Sequence, residues 1–252
     1  MIVGAYLKNN ILLLGGSSTL GKALIRSKLF KNLYYPSSKV LNILNQRKLE
    51  KFLIKKKIRT ILHFAALARV KECQNNKKKA YRINVLGTQN VVESVNNCLR
   101  KYNFNIKTVF MSSDGVYSSI KGNYKENDNL RPYNYYGWTK LQGEKAVIKL
   151  KDYIIIRTRF FDKKKIKFNH AAVNIFTSAI EVNILVKYID KILKKRFKGI
   201  LNVGGKRISD FHKYKEYKKS IKPCDKSEIF NKLNFKLATD ASMNIKKLKR
   251  LI

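Results

Sequence analysis

A short run, Asn10-Ile11-Leu12-Leu13-Leu14, leads directly into the turn Gly15-Gly16-Ser17-Ser18-Thr19-Leu20-Gly21. Apolar residues at helical spacing then continue from Leu20 to Leu29. An apolar run this short, closed by glycine, reads as a strand buried on both faces, the kind found in parallel sheets. A strand, a glycine turn and a helix in that order make the first half of a βαβ unit. The same alternation recurs down the chain. Strands are expected near Leu33–Tyr35, at Arg59–Phe64, at Thr108–Met111 and at Tyr153–Ile156. Helices are expected at Arg47–Lys56, from about Lys77 to Cys98, and from Tyr136 onward. Repeated alternation of this kind specifies an α/β fold with a doubly wound parallel sheet and right-handed crossovers.

After Arg159 the pattern loosens. Phe161–Lys167 reads as a basic loop, Ile180–Leu193 as a helix, and Gly199–Val203 as one more strand ending in Gly204-Gly205. Ser209–Lys219 reads as a charged helix with Ser209 as its N-cap. Asp240–Asn244 followed by Ile245–Leu251 suggests a capped terminal helix. No internal repeat is visible.

Composition sets outer limits. At 252 residues with a hydrophobic fraction of 44%, the chain can bury one large core. No apolar run reaches the ~20 residues of a membrane span. Met1–Lys8 does not show the order of charged and apolar regions found in a signal peptide. Cys73, Cys98 and Cys224 are odd in number and lack metal-ligand spacing, so a reducing cytoplasm is expected, with neither a disulfide framework nor a bound metal. The formal charge of +39 invites a nucleic-acid reading. However, the lysines are spread along the whole chain beside asparagine and isoleucine, without a zinc-finger, zipper or RNA-binding aromatic signature. Nonspecific attraction to polyanions at low salt is expected, and specific nucleic-acid binding is not.

Two features bear on chemistry. The glycine turn stands at the first strand–helix junction, where backbone N–H groups and the helix N-terminus can receive a pyrophosphate. The alternative is a plain tight turn with Gly15 at positive φ. The second feature is Tyr136, four residues ahead of Lys140 on one helical face. A free tyrosine titrates near ~10, and a neighbouring cation lowers that value toward a usable acid or base. A shift of about three units requires roughly 4 kcal/mol of differential stabilisation. In a chain rich in both residues, an exposed helix face carries the same spacing by chance.

The turn and the Tyr–Lys pair occur with further motifs in a fixed order: His63-Phe64-Ala65-Ala66, Arg82-Ile83-Asn84-Val85-Leu86-Gly87-Thr88, Ser112-Ser113-Asp114-Gly115-Val116-Tyr117, and Arg131-Pro132-Tyr133-Asn134-Tyr135-Tyr136-Gly137-Trp138-Thr139-Lys140-Leu141-Gln142-Gly143-Glu144. In these the chain resembles an extended short-chain dehydrogenase/reductase, most closely the dTDP-4-dehydrorhamnose reductase branch. The resemblance runs from about Asn10 to Arg157, with thinner echoes in Gly199–Gly205 and Asp240–Leu248. It departs from the family at Ser18, which replaces the middle glycine of the turn, and at Asn42, where relatives often carry an aspartate near the adenine.

The resemblance implies a Rossmann-type sheet spanning residues 1–158. It also implies a small, shortened C-terminal substrate-binding part, 159–252, packed against the first and partly completing it. It implies hydride transfer between a nicotinamide and a sugar carbonyl, with Tyr136 as proton donor, Ser113 holding the oxygen, and Lys140 binding the nicotinamide ribose while lowering the tyrosine pKa. Tyr135 lacks the lysine four residues on and is read as a bystander, and His63 as a satisfied strand residue without chemistry.

Cofactor contacts are expected from Gly15, Ser17, Ser18, Thr19, Leu20, Gly21, Ala65, Ala66, Asn84, Tyr136 and Lys140. Around the adenosine ribose, Tyr34-Tyr35-Pro36-Ser37-Ser38-Lys39 contains no acid to hold a 2′-hydroxyl. NADP(H) is therefore expected over NAD, with Ser37, Ser38, Lys39 and Asn42 as candidates; an ordinary polar turn is the alternative. Arg157, Arg159 and Lys163–Lys165 offer cations for a diphosphate or, on the other reading, form a solvated basic loop. The expected function is NADPH-dependent reduction of a 4-keto-6-deoxy nucleotide sugar. The alternatives are an epimerase or dehydratase of the same superfamily and a non-catalytic, cofactor-binding regulatory subunit. A homodimer is left open as the assembly.

Overall fold

The computed structural model describes residues 10–231 and 238–252. Met1–Lys8, read above for a signal peptide, lies outside the described residues. The chain runs β1 (Asn10–Leu14), α1 (Thr19–Ser27), β2 (Leu33–Tyr34), α2 (Gln46–Lys55), β3 (Ile58–His63), α3 (Val70–Asn75) and α4 (Lys77–Ala80). A π-helical turn (Tyr81–Leu86) precedes α5 (Gly87–Tyr102), β4 (Lys107–Met111), α6 (Tyr135–Val147) and β5 (Tyr153–Thr158). The remainder comprises β6 (Phe160–Phe161), β7 (His170–Ala172), β8 (Phe176–Thr177), β9 (Ile180–Glu181), α7 (Val182–Lys194), β10 (Gly199–Val203), β11 (Ile208–Ser209), α8 (Asp210–Lys215), β12 (Lys222–Cys224), α9 (Lys226–Phe230) and α10 (Lys246–Leu251).

Six strands form one parallel sheet in the order β10-β5-β4-β3-β1-β2. Alternation along each strand splits the core into two layers, because successive side chains leave a strand on opposite faces. Ile11 and Leu13 of β1, Leu62, Val109, Met111, Ile154 and Ile156 pack with α1 and α7. Leu12 and Leu14, Ile61, Phe110 and Ile155 pack on the other face with α2, α5 and α6. Both faces are covered by helices, which explains why the strands read as unbroken apolar runs. β1 pairs with β2 on one side and β3 on the other, so the strand order reverses there. The crevice beyond the strand ends at such a reversal is where open α/β sheets bind ligands.

The region after β5 divides. α7 and β10 join the central sheet and its core, β10 pairing with β5 from Gly199↔Ile154 to Val203↔Thr158. Short two-stranded ladders, β6–β9, β7–β12 and β8–β11, carry the chain past the strand ends. Among the described residues, no helix is long and apolar enough to cross a membrane.

Three elements differ from expectation. The Lys77–Cys98 helix is interrupted by the π turn, which carries the buried Asn84. The Ser209–Lys219 helix stops at Lys215, because the chain turns back to bury Ile221 and pair β12 with β7; Ser209 caps it as expected, accepting from the His212 N–H at 3.2 Å. The terminal helix starts at Lys246, and its first turn is closed by Asn244 Oδ1, which accepts from the Lys246 N–H at 3.0 Å.

Candidate active site

The glycine turn connects β1 to α1. Gly15 has φ +95°, and a Cβ there would lie 2.6 Å from Ala65 N and 2.8 Å from Phe64 C. Only glycine lets the turn press against the end of β3 in this way. Ser18, the departure from the family turn, has an ordinary φ of −68° and caps α1, its Oγ accepting from Gly21 N at 3.0 Å. A serine therefore stands where no positive φ is needed, and its hydroxyl serves one of the four unpaired N–H groups of the helix start. Ser17 is exposed at the turn, and Thr19 begins the helix.

Ser37, Ser38 and Lys39 are exposed in the turn after β2, at the edge of the sheet. That turn lies beside the glycine loop: a Cβ on Gly16 would sit 3.4 Å from Tyr35 Cβ. Asn42 is exposed, and its Oδ1 accepts from Leu44 N at 2.9 Å, so this carbonyl is engaged by its own backbone. Asn84 is 2% exposed and ties two neighbours together. Its Oδ1 accepts from Leu67 N at 2.7 Å, and its Nδ2 donates to Leu67 O and Thr139 Oγ1, both at 3.0 Å. Asn84 thus fixes the loop after Ala65 and Ala66 to helix α6; this is a bracing role that the spacing alone did not reveal. π turns of this kind recur at functional sites.

Helix α6 is capped by Asn134, whose Oδ1 accepts from Gly137 N at 2.8 Å. Gly137 is required for close approach: a Cβ there would collide with the carbonyl of Gly115. That contact draws the start of α6 onto the 3-10 turn Asp114–Val116, which follows Ser113 at the end of β4. Ser113 Oγ accepts from Gly115 N at 3.0 Å and donates to Asp114 Oδ1 at 3.2 Å.

Tyr136, Lys140, Ser112, Ser113, Asp114, Ser18, Leu20 and Ala66 all line one cleft of about 400 Å³. The turn of β1, the end of β3, the end of β4 and one face of α6 therefore meet, as the motif order implied. Tyr135 turns away, stacked on Trp138 at 5.2 Å, and does not reach the cleft. His63 is buried, with Nε2 3.0 Å from Thr88 Oγ1; burial, aided by Lys140, lowers its pKa to about 3, so it stays neutral. It is only half satisfied, since among the described residues its buried Nδ1 meets no hydrogen-bond partner.

The electrostatics correct one expectation. Burial raises the Tyr136 pKa, the Asp114 carboxylate adds to the rise, and hydrogen bonding with Ser113 opposes both. The net direction is upward although Lys140 stands one helical turn away. Its Nζ lies 4.0 Å above the centre of the Phe110 ring, and burial lowers its own pKa to about 7, so near neutrality it is only partly a cation. The phenol is consequently a firmly protonated donor in this state.

Of the basic residues at and beyond the end of β5, Arg157 fits neither reading, while Lys163–Lys165 follow the solvated one. Arg157 is 1% exposed and forks onto Glu144, with Nη2 to Oε2 at 2.7 Å and Nε to Oε1 at 3.0 Å, while Nη1 donates to the Tyr117 hydroxyl at 2.8 Å. It belongs to a buried brace and is closed to a diphosphate. Arg159 reaches the cleft paired to Asp114, Nε to Oδ2 at 2.6 Å. Lys163–Lys165 form an exposed 3-10 turn outside the cleft.

Residues 9–187 match the family described as RmlD substrate binding domain. The chain belongs to this family. A 147-residue stretch is 26% identical to methionine adenosyltransferase 2 subunit beta of Bos taurus, covering 55% of this chain and 42% of that protein. A 100-residue stretch is 32% identical to dTDP-4-dehydrorhamnose reductase of Aggregatibacter actinomycetemcomitans, covering 39% and 32%. These matches span less than half the length of either curated relative. Among solved structures, a hypothetical dTDP-4-dehydrorhamnose reductase from Sulfolobus tokodaii is 29% identical, covers 96% of this chain and 94% of that one, and superposes with a TM-score of 0.80. A dTDP-4-dehydrorhamnose reductase from Bacillus anthracis, solved in complex with NADP, has a TM-score of 0.83 at 22% identity over 96% and 92%, which shows shared fold. The Rossmann-type doubly wound sheet expected from the sequence is the fold of these neighbours.

Proposed function

We propose that the chain is an NADPH-dependent reductase of a 4-keto-6-deoxy nucleotide sugar, like the dTDP-4-dehydrorhamnose reductases among its relatives. The observation that carries this reading is the convergence of Ser113, Tyr136 and Lys140 in a single cleft walled by Ser18 and Leu20 of the glycine turn.

The turn fits a dinucleotide. Its backbone is pressed onto the end of β3 at Gly15, leaving no side chain in the way, and it opens directly onto the capped N-terminus of α1. Gly15, Ser17, Ser18, Thr19, Leu20 and Gly21 would hold the pyrophosphate, and Ala65 and Ala66 would border the cofactor at the end of β3. Ser37, Ser38 and Lys39 would meet a 2′-phosphate without a carboxylate to repel it, which favours NADP over NAD. Bound NADPH would supply a hydride to the sugar carbonyl. Tyr136, held protonated by burial, donates a proton to the oxygen as charge develops there. Ser113, fixed by Gly115 N, holds that oxygen in place. Lys140 is assigned to the nicotinamide ribose, and Asn84 to bracing the loop that borders it.

On this reading residues 1–158 hold the cofactor and 159–252 supply the sugar side, with α7 and β10 completing the first unit. A nucleotide-sugar partner, a cytoplasmic site of action and a homodimeric assembly belong to the same proposal. The test is to incubate the protein with NADPH and a panel of 4-keto-6-deoxy nucleotide sugars while following loss of reduced cofactor. Net consumption of NADPH separates a reductase from an epimerase or dehydratase. A second reading, a cofactor-binding subunit without turnover, draws on the similarity to methionine adenosyltransferase 2 subunit beta. Tight NADPH binding without turnover on any sugar would favour it.

A further inference from the structure

Arg159 stands just past the end of β5 and lines the cleft. Its guanidinium is held at two points: Nε by Asp114 Oδ2 at 2.6 Å and Nη2 by the Tyr133 hydroxyl, which it meets at 3.2 Å. Among the described residues no protein acceptor meets Nη1, and 30% of the side chain stays accessible in a residue that lines the cleft. A planar fork anchored on one edge therefore presents its remaining N–H donors to whatever enters. A side chain held at two points loses little further freedom when it binds, which favours recognition over general attraction.

What it can read follows from its neighbours. Asp114 Oδ1 accepts from Ser113 Oγ at 3.2 Å, and Ser113 marks the reacting oxygen. Arg159 is thus linked through Asp114 to Ser113, and a carbonyl held by Ser113 would bring the substituents on its flanking carbons toward Arg159. The Asp114 carboxylate offsets its charge, and Asp210 of α8, which also lines the cleft, is likewise paired, with Lys213 at 2.7 Å. A balanced pair is poorly suited to a diphosphate and well suited to a neutral acceptor. In a 4-keto-6-deoxy sugar, one carbon beside the carbonyl carries a hydroxyl, while the other carries a methyl group and the ring oxygen, which is a weaker acceptor than the hydroxyl.

We propose that Arg159, positioned by Asp114 and Tyr133, is a specificity residue that selects sugars bearing a hydroxyl on the carbon adjacent to the reacting carbonyl. The inference rests on the reductase reading given above and deepens it. Hydrogen bonds to a charged donor discriminate strongly, because a substrate lacking the acceptor leaves that donor unmatched.

The test compares a 4-keto-6-deoxy nucleotide sugar with its 3-deoxy counterpart on the same nucleotide, for the wild type, Arg159→Lys and Arg159→Met. The wild type should prefer the hydroxylated sugar by roughly 10- to 100-fold in kcat/KM, and Arg159→Lys should reduce that preference to about threefold or less. Arg159→Lys keeps a cation beside Asp114, so it guards against a folding failure in Arg159→Met, which strands a buried carboxylate. NADPH affinity close to wild type certifies the fold of each variant. A wild type that reduces both sugars equally well, or a preference that survives both substitutions, overturns the inference while leaving the reductase reading intact. A wild type that binds NADPH and reduces neither sugar overturns the reductase reading and this inference with it.

Discussion

Ser112 donates a hydrogen bond to Glu144 Oε1 at 2.5 Å, joining the end of the strand that carries Ser113 to the helix that carries Tyr136 and Lys140. Glu144 follows Lys140 by one helical turn, and its second oxygen is held by Arg157 Nη2 at 2.7 Å. Three elements of the site, β4, α6 and β5, are therefore pinned by one buried carboxylate. Removing one partner of a buried pair leaves the other charge unmatched. Glu144→Gln should destabilise the fold by about 3 kcal/mol in urea unfolding, and the double variant Glu144→Leu/Arg157→Leu by much less. A single variant as stable as wild type would count against the brace.

Tyr136→Phe removes one hydroxyl from the cleft and leaves the ring. Turnover should fall by at least about a thousandfold, while NADPH affinity stays within a few-fold, measured by fluorescence titration. Residual activity near the wild-type rate would remove Tyr136 from the chemistry.

Lys140 carries a cost for its position. Its folded-state pKa is lowered by burial from 10.5 to about 7, so between those values the unfolded chain binds the extra proton. Stability from this group therefore rises as pH climbs from 7 to 10.5, and the full penalty is present below 7. Glu144 on the same helix and Cys73 on α3 act against the lowering, and His63 also faces the ammonium. Lys140→Met should stabilise the protein by roughly 3–5 kcal/mol at pH 6 and by far less at pH 10, while abolishing turnover. Equal gains at both pH values would contradict a buried, partly neutral lysine.

His63 gives the opposite limb. Its pKa is lowered from 6.5 to about 3, so its contribution is complete above 6.5 and lost as pH falls toward 3. By pH 4.5 the loss should reach roughly 2–3 kcal/mol. Urea unfolding of wild type and His63→Gln from pH 7 to 4.5 should show a shallower decline in the variant. Parallel curves would assign the acid sensitivity to other groups.

At the glycine turn, Ser18→Gly restores the family motif and removes a helix cap. The expected change is a destabilisation of only a few tenths of a kcal/mol, against about 1 kcal/mol for Ser18→Ala, because glycine leaves the N–H open to water. NADPH affinity should stay within a few-fold for Ser18→Gly. A large loss of binding there would mean that the Ser18 hydroxyl itself meets the cofactor.

Much of the fold was legible because a buried parallel sheet writes its strands as apolar runs and its helices at 3.6-residue spacing. β1, β3, β4, β5 and α1 were legible in that way. The π turn was not, since nothing in Tyr81–Leu86 distinguishes it from an ordinary helical turn. The end of α8 was missed because Ile221 pulls the chain back into the core, a demand made by residues distant in sequence. Among site residues, the resemblance to the reductase family implied Ser113, Tyr136 and Lys140, and spacing alone offered only the Tyr136–Lys140 pair. The roles of Arg157 and Arg159 were not readable, because two arginines two residues apart, one in β5 and one just past its end, look alike until one meets Glu144 and the other Asp114.

By itself the sequence determined the sheet, the glycine turn and which tyrosine stands four residues before a lysine, since these depend on local period and on residue types a few positions apart. Only the tertiary structure decided the charge states and partners at the site. Burial keeps the Tyr136 phenol protonated and strips Lys140 of part of its charge. It also commits Arg157 to Glu144 and leaves Arg159 open to the cleft. Those outcomes depend on desolvation and on contacts across tens of residues, and neither is written in any local pattern.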